Sequence, residues 1–190
     1  MGARRIFFLV GMPGCGKSTL ARALAAAGAA EAADLDSLVE ARCGMSVAEI
    51  FSTFGEAEFR RMEAEAVETA ASIASASHLP LVVSTGGGAP CHGRNMDAML
   101  QAGTVVWLQS DAARTVSRLA DAPGQRPAAD RAMAAGRLRE WHDELLAART
   151  PHYARAHACF DSTELDDFPA VRAAVRRFCE TFGLKTIDTK

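Results

Sequence analysis

Gly11-Met12-Pro13-Gly14-Cys15-Gly16-Lys17-Ser18-Thr19 decides the fold. The stretch has the phosphate-loop spacing G-x-x-x-x-G-K-[ST], with the apolar run Ile6-Phe7-Phe8-Leu9-Val10 before it and Leu20-Ala21-Arg22-Ala23-Leu24 after it. A strand, a glycine-rich turn and a helix are therefore expected in that order. Glycine adopts dihedrals that other residues avoid, so the chain can curl until successive N–H groups and the helix N-terminus face one anion. Gly14, Cys15, Gly16, Lys17, Ser18 and Thr19 are the residues expected around a nucleoside triphosphate. Lys17 would act as a point charge at the β and γ phosphates, and Ser18 would place its hydroxyl on the accompanying Mg2+.

Beyond this loop, short apolar runs at Leu81-Val82-Val83-Ser84-Thr85, Thr104-Val105-Val106-Trp107-Leu108 and His157-Ala158-Cys159-Phe160 alternate with helical patterns. Continuous hydrophobicity marks strands buried on both faces. The expectation is an α/β fold: a three-layer P-loop kinase arrangement with a central parallel sheet of about five strands and helices on both sides. The first helix fades near Gly28, and Glu31-Ala32-Ala33-Asp34-Leu35-Asp36 puts Asp34 at a strand end and Asp36 at a helix start. Ser46 and Glu49 form a capping box for a short helix. Further helices are expected over Glu56 to His78, Asn95 to Ala102, Ala112 to Leu119, Arg131 to Ala148 and Phe168 to Phe182. Asp121 to Asp130, punctuated by Pro123, Gly124 and Pro127, has no periodicity and reads as a mobile lid. Arg149-Thr150-Pro151-His152-Tyr153 reads as a junction. Residues 1–190 are expected to form one domain.

The charge balance, Lys+Arg 21 against Asp+Glu 23, gives a net −2 and no electrostatic footprint for nucleic acid. Hydrophobic content is 49% without a run of the roughly 18 residues that a membrane span needs, so no membrane partner is expected. Arg4-Arg5 and the apolar run after them read as the first strand rather than an export leader, because Gly11, Pro13 and Lys17 interrupt the run. Five cysteines without a C-x-x-C pair argue for a reducing cytoplasm. The five histidines lack metal-site spacing, so no structural metal is expected. A monomer is expected.

The motifs around the loop narrow the reaction. Asp34-Leu35-Asp36, Gly55-Glu56-Ala57-Glu58-Phe59-Arg60-Arg61-Met62-Glu63, Gly86-Gly87-Gly88, Arg126-Pro127 and Arg149-Thr150-Pro151-His152-Tyr153 follow one another in order. With the phosphate loop they make the chain resemble the shikimate kinase family over nearly its whole length. That resemblance implies ATP-dependent phosphorylation of the 3-hydroxyl of shikimate, a step towards chorismate and the aromatic amino acids. Small departures occur at Ala33, at Ala128-Ala129, and in the acidic segment Asp161 to Asp167.

Shikimate is a ring bearing one carboxylate and three hydroxyls, which calls for cations at the acid and acceptors at the alcohols. Arg60 and Arg149 can fork onto the carboxylate, Glu63 can hold Arg60 from the same helical face, and Gly86, Gly87 and Gly88 let backbone N–H groups approach closely. Within a substrate-binding segment of about 34–63, Asp36 would receive the attacking hydroxyl's hydrogen bond or proton. Lys17 and the lid residue Arg126 would spread the phosphoryl charge. The strand ending in Ser84-Thr85 carries no carboxylate, so Asp34 is the expected metal ligand with Ser18. The resemblance also puts Arg118 on the adenine. Purely structural readings stand beside these: a solvated face for Arg60, a plain loop for the glycines, a helix C-terminus for Arg149, and a helix cap for Asp34. Rival functions are a kinase for a related carboxylated polyol such as gluconate or aminoshikimate, and a non-catalytic ligand-binding relative.

Overall fold

The structure, a computed structural model, describes residues 6–124 and 126–186. Arg4, Arg5 and the lid residue Gln125 lie outside the described residues. The order of elements is β1 (Ile6–Val10), α1 (Lys17–Ala26), β2 (Glu31–Asp34), α2 (Leu35–Cys43), α3 (Val47–Ala76), β3 (Leu81–Ser84), α4 (Asn95–Ala102), β4 (Thr104–Gln109), α5 (Ala112–Ala120), α6 (Pro127–Ala134), α7 (Leu138–Tyr153), β5 (Ala158–Asp161) and α8 (Phe168–Phe182). The five strands form one parallel sheet in the order β2-β3-β1-β4-β5. This is the three-layer α/β architecture that the sequence predicts.

The period of two along β1 builds the layers. Ile6, Phe8 and Val10 face a cluster containing Ala66, Val67 and Ala70 of α3 and Met96 and Met99 of α4. Phe7 and Leu9 face the opposite layer, with Leu20 and Leu24 of α1 and Val175 and Phe178 of α8. Every residue of β1 is buried, as a central strand covered on both sides requires. Register then fixes the chemistry. Ser84 pairs with Leu9 on one side and with Asp34 on the other, so the carboxyl ends of β1, β2 and β3 finish at one level. Beside β1 the connections diverge to the two halves of the sheet, the place where open α/β sheets bind ligands.

Three local expectations need correction. The aperiodic stretch is shorter than 121–130, because α6 begins at Pro127. Proline is well placed in a first helical turn, where its missing N–H had no partner to lose, and two alanines follow it. The helix read as Arg131 to Ala148 is two helices, parted at Gly136, whose φ of 67° turns the chain between α6 and α7. Finally, Arg149 to Tyr153 is no junction but the last turn of α7. Pro151 costs that turn a hydrogen bond, yet Tyr153 is fully buried and its hydroxyl donates to Gly87 O at 2.6 Å, which anchors the turn. The capping box holds as read: Ser46 caps α3 with Glu49 reciprocating, and Gly55 (φ 79°) breaks that helix between its short and long parts.

Candidate active site

A cleft of about 960 Å3 opens at the carboxyl ends of the strands. The phosphate loop forms its floor. Gly11 cannot carry a side chain, since a Cβ would lie 2.6 Å from Leu108 O, and Gly16 (φ 94°) has the Leu165 side chain directly against it. No side chain caps α1, so the N–H groups of its first turn remain available to an anion. Lys17 Nζ donates to Gly11 O and Met12 O, both at 2.9 Å, and so lies buried inside the loop that it serves. Gly14, Gly16, Ser18 and Thr19 line the cleft with it. Cys15 does not. Its thiol is in the core and its N–H donates to Met12 O at 3.2 Å, so it shapes the loop from beneath.

Register brings a hydroxyl to where the sequence showed no carboxylate. Ser18 Oγ donates to Asp34 Oδ2 at 3.2 Å and lies 3.1 Å from Ser84 Oγ, and Ser84 also donates to Asp34 Oδ2. Ser84 was missed because strand-end carboxylates, not hydroxyls, are the usual signal at that position. Asp34 meanwhile accepts from Asp36 N at 3.1 Å, so it caps α2 as the plainer reading held while facing Ser18. Burial, then the neighbouring Asp34 charge, push the Asp36 carboxyl above its ordinary value, and Lys17 opposes them.

The other end of the cleft is built around the glycines. A Cβ on Gly86 would come within 3.2 Å of Glu63 Oε1 and 3.3 Å of Asp36 Oδ1. On Gly87 it would lie 2.9 Å from Arg149 Nη1, and on Gly88 3.2 Å from Arg60 Nη2 and 3.5 Å from Arg149 Nη2. Two guanidiniums and two carboxylates therefore converge on a backbone that has no side chains of its own. Arg60 donates to Glu63 Oε2 at 3.0 Å and to the exposed Glu56. Asn95 Nδ2 reaches Glu63 Oε2 at 3.4 Å. Burial pushes the Glu63 carboxyl up to about 7, against the pull of Arg60. Glu63 Oε1 and Arg149 Nη1 are buried without a hydrogen-bond partner among the described residues.

Arg126 precedes α6 and lines the mouth, with no ion-pair partner among the described residues. Trp141 and Leu145 of α7 complete that wall. Arg118 also lines the cleft and is held by Asp166, with Nε to Oδ1 at 2.7 Å. Trp141 and Asp166 carry no signal from spacing alone, because their positions depend on how distant segments pack, and Tyr153, though it ends the Arg149–Tyr153 motif, is given its anchoring role only by the bond to Gly87 O.

Comparison with known proteins agrees with this geometry. A family profile described as "Shikimate kinase" matches residues 13–181. The chain is 34% identical over 177 residues to a shikimate kinase of Bacteroides fragilis, covering 93% of this chain and 96% of that protein. Among solved structures, shikimate kinase from Bacteroides thetaiotaomicron superposes with a TM-score of 0.83 at 33% identity, over 95% of this chain and 99% of the other. Shikimate kinase from Acinetobacter baumannii in complex with shikimate gives a TM-score of 0.72 at 27% identity, over 94% and 93% of the two chains.

Proposed function

The chain belongs to the shikimate kinase family, and we propose that its cleft transfers the γ-phosphoryl group of ATP to the 3-hydroxyl of shikimate, giving shikimate 3-phosphate and ADP on the route to chorismate and the aromatic amino acids. The observation that carries the acceptor assignment is a pair of buried polar atoms with no partner among the described residues, Glu63 Oε1 beside Gly86 and Arg149 Nη1 beside Gly87. Buried polar groups are rarely left unsatisfied without a functional reason. A free guanidinium N–H calls for a carboxylate, and a free carboxylate oxygen calls for a hydroxyl, so the missing molecule is an anionic polyol.

The remaining roles follow from where charge develops. Arg60 and Arg149 grip the acceptor's carboxylate, while Gly86 to Gly88 let it sit against the backbone. Asp36 accepts the hydrogen bond of the attacking hydroxyl, and its raised pKa makes it the more willing to take the proton. In a loose phosphoryl transition state little is asked of a base, so orientation is the larger part of that role. Lys17 exchanges the Gly11 and Met12 carbonyls for phosphate oxygens. Residues 121–130 act as the lid, from which Arg126 spreads the charge of the transferring group.

Mg2+ fits the set formed by Ser18 and Asp34, joined by Ser84: hard oxygen donors with one carboxylate, which leaves most of the coordination shell to phosphates and water. When bound, the ion neutralises charge on the β and γ phosphates. The cysteine pattern supports a cytoplasmic location.

The test is ADP release, followed by a coupled assay with and without shikimate. Gluconate and an aminoshikimate serve as alternative acceptors. Shikimate-dependent turnover exceeding that with either analogue is expected. Turnover with gluconate alone would move the reading to a related polyol kinase.

A further inference from the structure

Arg114 and Arg118 lie one turn apart on the same face of α5 and share one carboxylate: Asp166 Oδ1 accepts from Arg118 Nε at 2.7 Å, and its Oδ2 forms an ion pair with Arg114 Nη1 at 3.2 Å. The rest of the Arg118 guanidinium is also engaged. Nη1 reaches Gly14 O at 3.5 Å, Ser110 Oγ at 3.4 Å and Ser162 O at 3.4 Å, and Nη2 donates to Thr163 O. One side chain thus ties together the phosphate loop, the turn before α5 and the segment 162–166 that follows β5. Leu165, beside Asp166, lies against Gly16, so this segment is a wall of the cleft, and Arg114, Arg118, Leu165 and Asp166 all line it.

We infer that Asp166 is a positioning residue for the nucleotide: it holds Arg118 and the 162–166 wall over the phosphate loop, so that removing its charge weakens nucleotide binding although the nucleotide is itself an anion. A long arginine side chain loses rotamer freedom when a ligand orders it, and a partner that orders it beforehand removes that loss from the binding step. Asp166 needs no contact with the nucleotide for this. The inference rests on the kinase reading of the cleft.

Two opposed expectations make the test sharp. By its field alone, Asp166 repels a triphosphate, so Asp166→Asn would lower the KM for ATP. As a positioning residue, its loss should raise the KM for ATP and the calorimetric Kd for ADP by roughly tenfold, the scale of one charge-assisted hydrogen bond. The KM for shikimate and kcat should stay within about twofold. The side chain is 42% exposed, so the variant should fold. In an Arg118→Ala background the same substitution should have no further effect on ADP binding. A lowered or unchanged KM for ATP overturns the inference. So does a parallel rise in both KM values with a fall in Tm, or a full tenfold effect in the Arg118→Ala background. A wild-type protein that binds ADP but does not phosphorylate shikimate sinks the kinase reading instead, and leaves the calorimetric comparison to decide the role of Asp166.

Discussion

At the phosphate end of the cleft Lys17, Ser18, Ser84 and Arg118 are partnered within the protein, whereas at the acceptor end two buried polar atoms have no partner among the described residues. Lys17 rests on the Gly11 and Met12 carbonyls, Ser18 and Ser84 on Asp34, and Arg118 on Asp166. Glu63 Oε1 and Arg149 Nη1 rest on nothing among the described residues. A partnered group stays in place without its ligand but must give up internal bonds to take new ones, so its net gain per contact is modest. An unpartnered buried group bears its desolvation penalty until the right ligand relieves it. That makes the acceptor end the less stable and the more selective of the two, because a molecule lacking the matching group leaves the penalty in force. Rate should therefore reside mainly at the phosphate end and acceptor choice at the glycines.

The largest effect expected is at the phosphate end. Lys17→Ala leaves the glycine dihedrals and the cap of α1 unchanged, and the two freed carbonyls can turn to water at the cleft floor. Turnover should fall by on the order of 10³ or more while circular dichroism stays native-like, since the charge that meets the phosphates is gone. A folded variant with near-wild-type turnover would break the comparison, because it would mean that the partnered lysine never leaves its carbonyls.

Next comes Arg149. Replacing it with alanine removes the unpartnered donor and should weaken shikimate binding by about 3 kcal/mol, the scale of a charge-assisted pair of hydrogen bonds to a carboxylate. Arg149→Lys restores the charge without the planar fork and should recover only part of that loss. ADP affinity, measured by calorimetry on the same samples, should be unaltered in both. Equal losses of shikimate and ADP would show that the two ends are not separable.

The phosphate loop and most of the elements were legible in the sequence because they rest on local physics: glycine spacing, the Ser46–Glu49 cap, and apolar runs whose lengths separate strand from helix. Legibility failed where distant packing decides. Pro151 suggests a break, but burial of Tyr153 keeps α7 helical past it. Gly136, rather than any change in periodicity, parts α6 from α7. Within the site, Arg60, Glu63 and Arg149 could be named from motifs, yet their convergence on Gly86 to Gly88 follows from sheet register and from the path of α7. Ser84 was visible only as a missing carboxylate, and the Asp166 clasp joins residues 48 apart that no periodicity relates.

The smallest effect expected belongs to Glu63, and it asks whether the acceptor end is as uncomfortable without ligand as its orphan oxygen suggests. Burial raises this carboxyl from an ordinary 4.5 to about 7 in the folded protein. The native state thus holds a proton that the unfolded chain has already released over that interval. Stability from this group is fully present below about pH 4.5 and is lost as the pH rises through about 7. Glutamine resembles the protonated acid in shape and cannot ionise. On raising the pH from 4.5 to 8, ligand-free wild type should lose on the order of 2 kcal/mol relative to Glu63→Gln, several degrees in Tm. Asp36, also shifted upward, is present in both proteins, so only the part of its titration that depends on the Glu63 charge enters the difference. Saturating shikimate should narrow the gap in wild type, since a hydroxyl reaching Oε1 would satisfy the charged form. Parallel curves of stability against pH for the two proteins would mean that Glu63 stays ionised throughout, and that Arg60 and Asn95 already satisfy it; the acceptor end would then be as settled as the phosphate end.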